Sequence, residues 1–283
     1  MKTDRKCFGN REKTSKLLAF AQQREDGMKS PVVLIGVGEM GGVFARGILR
    51  VGHPVIPVTR STNMQEIALA YPQPQLVLVS VGENDLHATL AQLPPSWHAH
   101  VGLLQNELLP RDWQQHHIDD PTVIAVWFEK KKGQDAKVLI PSPVHGPQAG
   151  LLVAGLAALD IPAVTLGSNE ALCYELVRKN VYILTSNICG LVTAGNVSQL
   201  WNDHQELARE VAHEVIDIQE WLTNRTYDRE QLIAGMLEGI EGDPQHMCMG
   251  RSAPARLKRA LQHADEAKLP VAKLRQIQQD CAK

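Results

Sequence analysis

Four consecutive aliphatic residues, Val32 to Ile35, run directly into Gly36, Gly38 and Gly41, which are spaced as Gly-x-Gly-x-x-Gly. Val43, Phe44, Ile48 and Leu49 then mark one apolar side of a helix. A second apolar run follows at Val55 to Val58. Strand, tight turn and helix N-terminus in this order form a seat for a pyrophosphate, because unpaired backbone N–H groups and the helix dipole both favour an anion there. Gly36 permits the turn, Gly38 lets the backbone approach the phosphates, and Gly41 lets helix and strand pack closely. The context of the glycines therefore points to a dinucleotide-binding α/β domain, with Gly36, Val37, Gly38, Glu39, Met40 and Gly41 as its cofactor-binding turn.

The second strand indicates which dinucleotide. A NAD site ordinarily carries an acid at the end of that strand, to bind the ribose hydroxyls. Here the strand ends Val58, Thr59, Arg60, Ser61, Thr62, Asn63, and the first acid is Glu66, beyond the turn. Arg60 can instead make a charge-assisted contact with a 2′-phosphate, and Ser61 and Thr62 offer hydroxyls. The expected cofactor is NADP(H).

At 283 residues the chain can hold two domains of ordinary size. A formal net charge of −2 and the lack of a basic stripe argue against nucleic-acid binding. Lys130, Lys131 and Lys132 beside Gly133 read as a solvated hairpin tip. No apolar stretch is long enough to span a membrane. The N-terminus has neither the apolar core nor the cleavage site of a secretory signal. Cys7, Cys173, Cys189, Cys248 and Cys281 are scattered without a Cys-x-x-Cys pair, which suits reduced thiols and a cytoplasmic setting. No metal site is expected. His98 and His100, like His116 and His117, lack the cysteine or carboxylate company such sites need. Neither a Gly-x-Ser-x-Gly elbow nor a His-Glu-x-x-His pair is present to suggest a hydrolase.

Residues 1–30 read as a leader outside the core. Met28 is a candidate natural start, Leu17 to Gln23 could form a short helix, and function should survive removal of the leader. From 31 to 167 apolar runs alternate with helical patterns. Strands are expected at 32–37, 55–59, 76–81, 101–104 and 122–127, and helices at 39–51, 63–70, 84–93 and 107–116. Such alternation implies parallel strands joined by right-handed crossovers, hence a doubly wound Rossmann-like sheet. Val138 to Ile140 and Ala163 to Leu166 would add edge strands, with a helix from Gln148 to Leu159 between them. From 168 to 283 only helices are expected, at 169–194, 203–224, 228–240, 252–264 and 270–281. Ser168 or Asn169 would cap the first of them. Substrate would then sit in the cleft between an NADP-binding α/β domain and a helical domain that also serves substrate binding and pairing of copies.

Four stretches resemble the ketopantoate reductase family: Ile35 to Gly41 with Arg60; Leu103, Leu104, Gln105 and Asn106; His145, Gly146 and Pro147 ahead of a helix; and Glu175 to Lys179 with Asn187, Leu191 to Ala194 and Asn196. Together they cover most of residues 32–200. The resemblance implies an NADPH-dependent reductase of a small 2-oxo acid or related carbonyl. It implies Lys179 as the proton donor to the substrate oxygen, Asn106 at the nicotinamide end, and Asn187 and Asn196 at the substrate. The chemistry is coherent, since hydride arrival puts negative charge on an oxygen that a nearby ammonium can stabilise and protonate. Lys179 and Asn187 lie eight residues apart, a little over two helical turns, so they can share a face. The alternative for Lys179 is an ordinary surface lysine beside Arg178 and Asn180.

The chain also departs from the family pattern. Ile183 stands where the family has a second asparagine, Gly82 where it has a lysine after the third strand, and Glu107 where it has a turn glycine. The family's late helix carries a serine, a methionine and a glutamate; the corresponding stretch here, Gln245 to Leu257, is shorter and has no aligned glutamate. His246, Arg251, Ser252 and Arg256 are the residues that could rebuild an anion site. These departures imply a substrate other than ketopantoate. They leave open two further readings: an imine reductase of the pyrroline-carboxylate type, and a non-catalytic NADP(H)-binding sensor. Trp201, Trp221 and Tyr227 are read as core or dimer contacts, and a homodimer is the expected assembly.

Overall fold

The computed structural model describes residues 29–282. The expectations for residues 1–28 lie outside the described residues.

β1 (Val32–Ile35), β3 (Leu76–Val79), β4 (Val101–Leu103) and β5 (Thr122–Ile124) are buried on both faces, whereas β2 (Val55–Val58) is an edge strand. This is why the central strands read as continuous aliphatic runs and not as alternating ones. The seven-stranded sheet has the order β2-β1-β3-β4-β5-β8-β9, its last two strands being Ser142–His145 (β8) and Ala163–Thr165 (β9). β1 pairs in parallel with β2 on one side and with β3 on the other. The connectivity therefore reverses between β1 and β3, and a crevice opens at their carboxyl ends.

The crossovers are α1 (Glu39–Arg50), α2 (Met64–Ala70), α3 (Leu86–Leu90) and α4 (Pro110–Gln114). α3 is preceded by a 3₁₀ turn at Glu83–Asp85 and is shorter than the periodicity suggests. α4 starts at Pro110, whose fixed φ suits a first helical position, so residues 107–109 stay extended or turned.

Beyond β5 the outcome departs from expectation. Val138 does not join the main sheet. β6 (Phe128–Glu129) and β7 (Lys137–Val138) form a separate two-stranded hairpin. The strand that follows, β8 (Ser142–His145), was not foreseen, because Pro143 and His145 break an aliphatic reading. It runs antiparallel to β5, since a hairpin and not a crossover helix connects them. α5 (Ala149–Ala157) then returns the chain to β9 (Ala163–Thr165), parallel to β8.

The remainder is helical: α6 (Asn169–Thr193), α7 (Val197–Asp203), α8 (Gln205–Thr223), α9 (Arg229–Gly242), α10 (Ala253–Ala267) and α11 (Ala272–Asp280). Ser168 caps α6 by accepting from the Ala171 amide at 3.1 Å. From Leu176 to Gly190 every residue of α6 is buried, with α8, α9 and α10 packed around it. Its polar residues therefore face protein and not water. One apolar core runs from a face of the sheet into this helical bundle, and a second fills the space between the other face, α1 and α5. No helix among the described residues is long and apolar enough to cross a membrane.

Candidate active site

The crevice between the carboxyl ends of β1 and β3 is a cleft of about 820 Å³, lined by Gly36, Val37 and Gly38, by Val58 to Thr62, and by Ser80 to Gly82. Gly36 adopts φ +91°, which only glycine takes at little cost. A Cβ on Gly41 would stand 2.3 Å from the Gly36 carbonyl oxygen, so glycine is required for α1 to close on the turn. A Cβ on Gly38 would meet nothing within 4 Å, and the backbone there borders open space. Ser80 Oγ donates to the Gly36 carbonyl and ties the turn to β3. Of the six turn residues, Gly36, Val37 and Gly38 line the cleft, while Glu39, Met40 and Gly41 form the first turn of α1. These features fit a dinucleotide laid across the switch point, with its pyrophosphate at the N-terminus of α1.

Arg60 lies at the far end of the cleft, with Ser61 and Thr62 beside it. Its guanidinium is almost fully exposed and pairs at 3.3 Å with Asp85. Such an exposed pair contributes about 0–1 kcal/mol, so it yields readily to a competing anion. The lysine run corrects in one respect: Lys131 and Lys132 are exposed, but Lys130 turns inward onto Glu39 at 3.3 Å, beside the glycine turn.

A second cavity, of about 150 Å³, lies where the α/β half meets α6. Lys179, Tyr182, Ile183, Ser186 and Asn187 reach it from successive turns of α6, opposite Asn106, Trp127, Glu129, His246 and Arg256. Lys179 is 4 % exposed, and Arg178 and Asn180 beside it are buried too, which removes the surface-lysine alternative. Burial drives the Lys179 ammonium down to about 7, partly offset by the Glu83 carboxylate and reinforced by the positive charge of Arg256. No hydrogen bond or ion pair occupies Lys179 among the described residues. Trp127 Nε1 and the Tyr182 hydroxyl, in two residues of the same wall, are buried donors without partners.

Asn187 finds the partner that burial requires: its Oδ1 accepts from Arg256 at 2.8 Å. Arg256 also binds Glu83 at 2.5 Å and Glu107 at 3.0 Å. Arg259 joins both carboxylates, so two arginines of α10 clasp two glutamates from the loops after β3 and β4. Glu107 holds φ +61°, the left-handed conformation that a turn glycine would adopt. The strain, about 1 kcal/mol, is offset by its ion pairs.

Asn196 is not brought to the cavity. Its side chain caps α7 by accepting from the Gln199 amide, and donates to Gln245 at 3.0 Å. It thereby braces the loop that carries His246. Of the residues considered for an anion site, Arg256 and His246 reach the cavity, whereas Arg251 is exposed and Ser252 precedes α10.

Sequence reasoning missed Trp127, Glu129, Tyr182 and Arg259. Their proximity depends on docking of α10 and of the β6–β7 hairpin, which local pattern does not encode. Glu107 carried a signal, as a charged residue in a position that calls for glycine.

No family model matches the chain, and no curated protein matches its sequence. Solved structures do match in fold. A PanE/ApbA family ketopantoate reductase from Ralstonia eutropha superposes with a TM-score of 0.63 at 16 % identity, covering 89 % of this chain and 97 % of its own. A probable 2-dehydropantoate 2-reductase from Bacillus subtilis gives 0.63 at 17 % identity, covering 89 % and 99 %. D-mandelate dehydrogenase with NADH gives 0.63 at 13 % identity, covering 87 % and 96 %. The chain has the ketopantoate reductase fold, a Rossmann-like sheet followed by a helical half, at a sequence distance where the fold alone is shared.

Proposed function

We propose that this protein is an NADPH-dependent reductase of a small 2-oxo acid or related carbonyl, with Lys179 as the proton donor. The observation that carries the reading is Lys179 itself: an unpaired, buried lysine, its ammonium driven down to about 7 by burial, on the wall of the cavity between the α/β half and α6. Such a group is poised to give up a proton at neutral pH. The fold neighbours are consistent with it, being reductases of 2-dehydropantoate and a mandelate dehydrogenase holding NADH.

Residues 31–167 would hold the cofactor, through Gly36 to Gly41, Arg60 and Asn106. Residues 168–283 would supply the substrate wall and pair copies of the chain. A dimeric ketopantoate reductase from Staphylococcus aureus shares the fold and supports that assembly. When bound, the cofactor supplies hydride to the carbonyl carbon. The chain's own part is to hold the carbonyl oxygen at Lys179 Nζ, to stabilise charge growing on it, and to deliver the proton. Trp127 Nε1 and the Tyr182 hydroxyl would bind acceptor oxygens of the substrate, ending their unpaired state. The cavity's small volume suits a short oxo acid.

The test is NADPH oxidation against a panel of 2-oxo acids and cyclic imines, with NADH in parallel and the Lys179→Ala variant as control. Oxidation with a 2-oxo acid that depends on Lys179 supports the proposal. Turnover of a cyclic imine without need of Lys179 would favour an imine reductase, and tight NADPH binding without turnover a sensor.

A further inference from the structure

At the cavity wall Glu129, with Asp243 behind it, forms a pair of acids that a 2-oxo acid reductase would not be expected to place near an anionic substrate. Glu129 of the hairpin, Asp243 after α9 and His246 offer ligand atoms that all lie within 4.8 Å of one another. His246 Nδ1 stands 3.8 Å from Glu129 Oε2 and 3.7 Å from Asp243 Oδ2. Asp243 is 3 % exposed, and its Oδ2 has no hydrogen-bond partner. An unpaired carboxylate oxygen at that depth is costly, unless something absent from the protein chain itself completes it.

The surroundings are organised around this point. Lys131 pairs with the other oxygen of Glu129 at 3.1 Å, and Lys137 with the other oxygen of Asp243 at 2.7 Å. Both lysines are more than half exposed and act from the outside, leaving the inner oxygens turned toward His246. The His246 loop is held in place by main-chain bonds, from the Val197 amide to the His246 carbonyl at 2.8 Å and from the Cys248 amide to the Gly195 carbonyl at 3.0 Å. One imidazole and two carboxylates are the donor set of a transition-metal dication. Four-coordinate zinc with bonds of about 2.0–2.1 Å sets its ligand atoms about 3.3 Å apart. The two His246 spacings would therefore close by about half an ångström on loading, and the carboxylates, all within 4.8 Å, by up to about 1.5 Å, within reach of side-chain torsions.

We propose that Glu129, Asp243 and His246 form a divalent transition-metal site on the wall of the Lys179 cavity, and that the bound ion receives the carboxylate of the substrate. Three protein ligands leave a coordination position free, and two of them, Glu129 and His246, line the cavity. The ion cancels the negative charge that the two acids would otherwise present to an anion and offers it a direct bond. The carboxylate role rests on the oxo-acid reading above, whereas the metal site stands without it.

The test uses the full chain without a histidine tag, titrated with Co²⁺ and followed by its visible absorption, with Zn²⁺ competition and no NADPH. One Co²⁺ per chain is expected, displaced by Zn²⁺, with affinity at least tenfold lower in both His246→Ala and Asp243→Asn, and circular dichroism unchanged. The Asn variant keeps the shape of the buried side chain and so separates ligation from folding. Absence of a Co²⁺ band, or the same titration in all three proteins, would overturn the site. Adding a non-reducible analogue such as oxalate to the Co²⁺ protein should shift the band. A loaded protein whose band ignores oxalate would overturn the carboxylate role. Because no step needs NADPH, failure here is distinct from failure of the reductase reading.

Discussion

Lys179→Met is the most informative substitution, because its effects on stability and on activity should oppose each other. Methionine fills a similar volume and carries no charge. The Lys179 ammonium falls from an ordinary value of 10.5 to about 7 in the folded chain, through burial first. Each unit is worth about 1.4 kcal/mol, so keeping this lysine costs the fold about 5 kcal/mol below about pH 7. Between about pH 7 and 10.5 the unfolded chain holds the proton and the folded chain does not, so wild-type stability rises with pH across that window. At pH 9 the remaining cost is about 2 kcal/mol, and above about 10.5 it vanishes.

The variant should therefore be more stable than the parent at pH 6, with the advantage shrinking by about 2–3 kcal/mol by pH 9. At about 2–4 °C per kcal/mol, the gap in Tm narrows by about 5–10 °C. The assay is thermal or denaturant unfolding of both proteins at pH 6, 7, 8 and 9 at constant ionic strength. A gap independent of pH, or a variant less stable at pH 6, would refute a buried lysine of depressed pKa. In the same preparations turnover should fall at least about a hundredfold, as loss of a general acid requires.

Four further outcomes are expected. Parent turnover should decline as pH rises through about 7, where Lys179 loses its proton, and a profile flat to pH 9 in kcat would remove it as the acid. Arg60→Ala should weaken NADPH at least about tenfold more than NADH in a fluorescence titration, since a 2′-phosphate contact is charge-assisted; equal loss would refute that role. Gly41→Ala should abolish dinucleotide binding, because its Cβ would meet the Gly36 carbonyl at 2.3 Å, whereas Gly42→Ala has open space and should raise stability by up to about 1 kcal/mol. Arg256→Met should cost about 3 kcal/mol or more in denaturant unfolding, because Glu83, Glu107 and Asn187 lose a shared partner, and a change under about 1 kcal/mol would show that Arg259 alone satisfies them.

Much of the α/β half was legible in the chain because its signals are local. A doubly buried parallel strand has to be a run such as Leu76 to Val79, and a turn this tight between β1 and α1 has to place glycine at Gly36 and Gly41, where φ or a neighbouring carbonyl permits nothing else. The α6 bounds were legible for the same reason, through the Ser168 cap and a long stretch without breakers. β8 was not, since a strand carrying Pro143 and His145 is decided by its pairing with β5 and β9 and not by propensity.

The active-site reading divides along the same line. That Lys179 and Asn187 share a face follows from helical spacing, and the sequence alone placed them together. Whether that face met water or a cavity depended on how α8, α9 and α10 packed around α6, and this turned a lysine of ordinary surroundings into one near pKa 7. Asn196 shows the converse: a residue type suited to a substrate was spent on capping α7 and bracing a loop. Arg256 lies 173 residues from Glu83, and Glu129 over a hundred from Asp243. Charge pairing over such separations is set by the meeting of distant elements, because local periodicity carries no record of which surfaces will touch. The sequence by itself determined a strand, a glycine turn and a helix N-terminus in succession, and a helix bearing a lysine; tertiary structure decided that the lysine is buried, and which charges surround it.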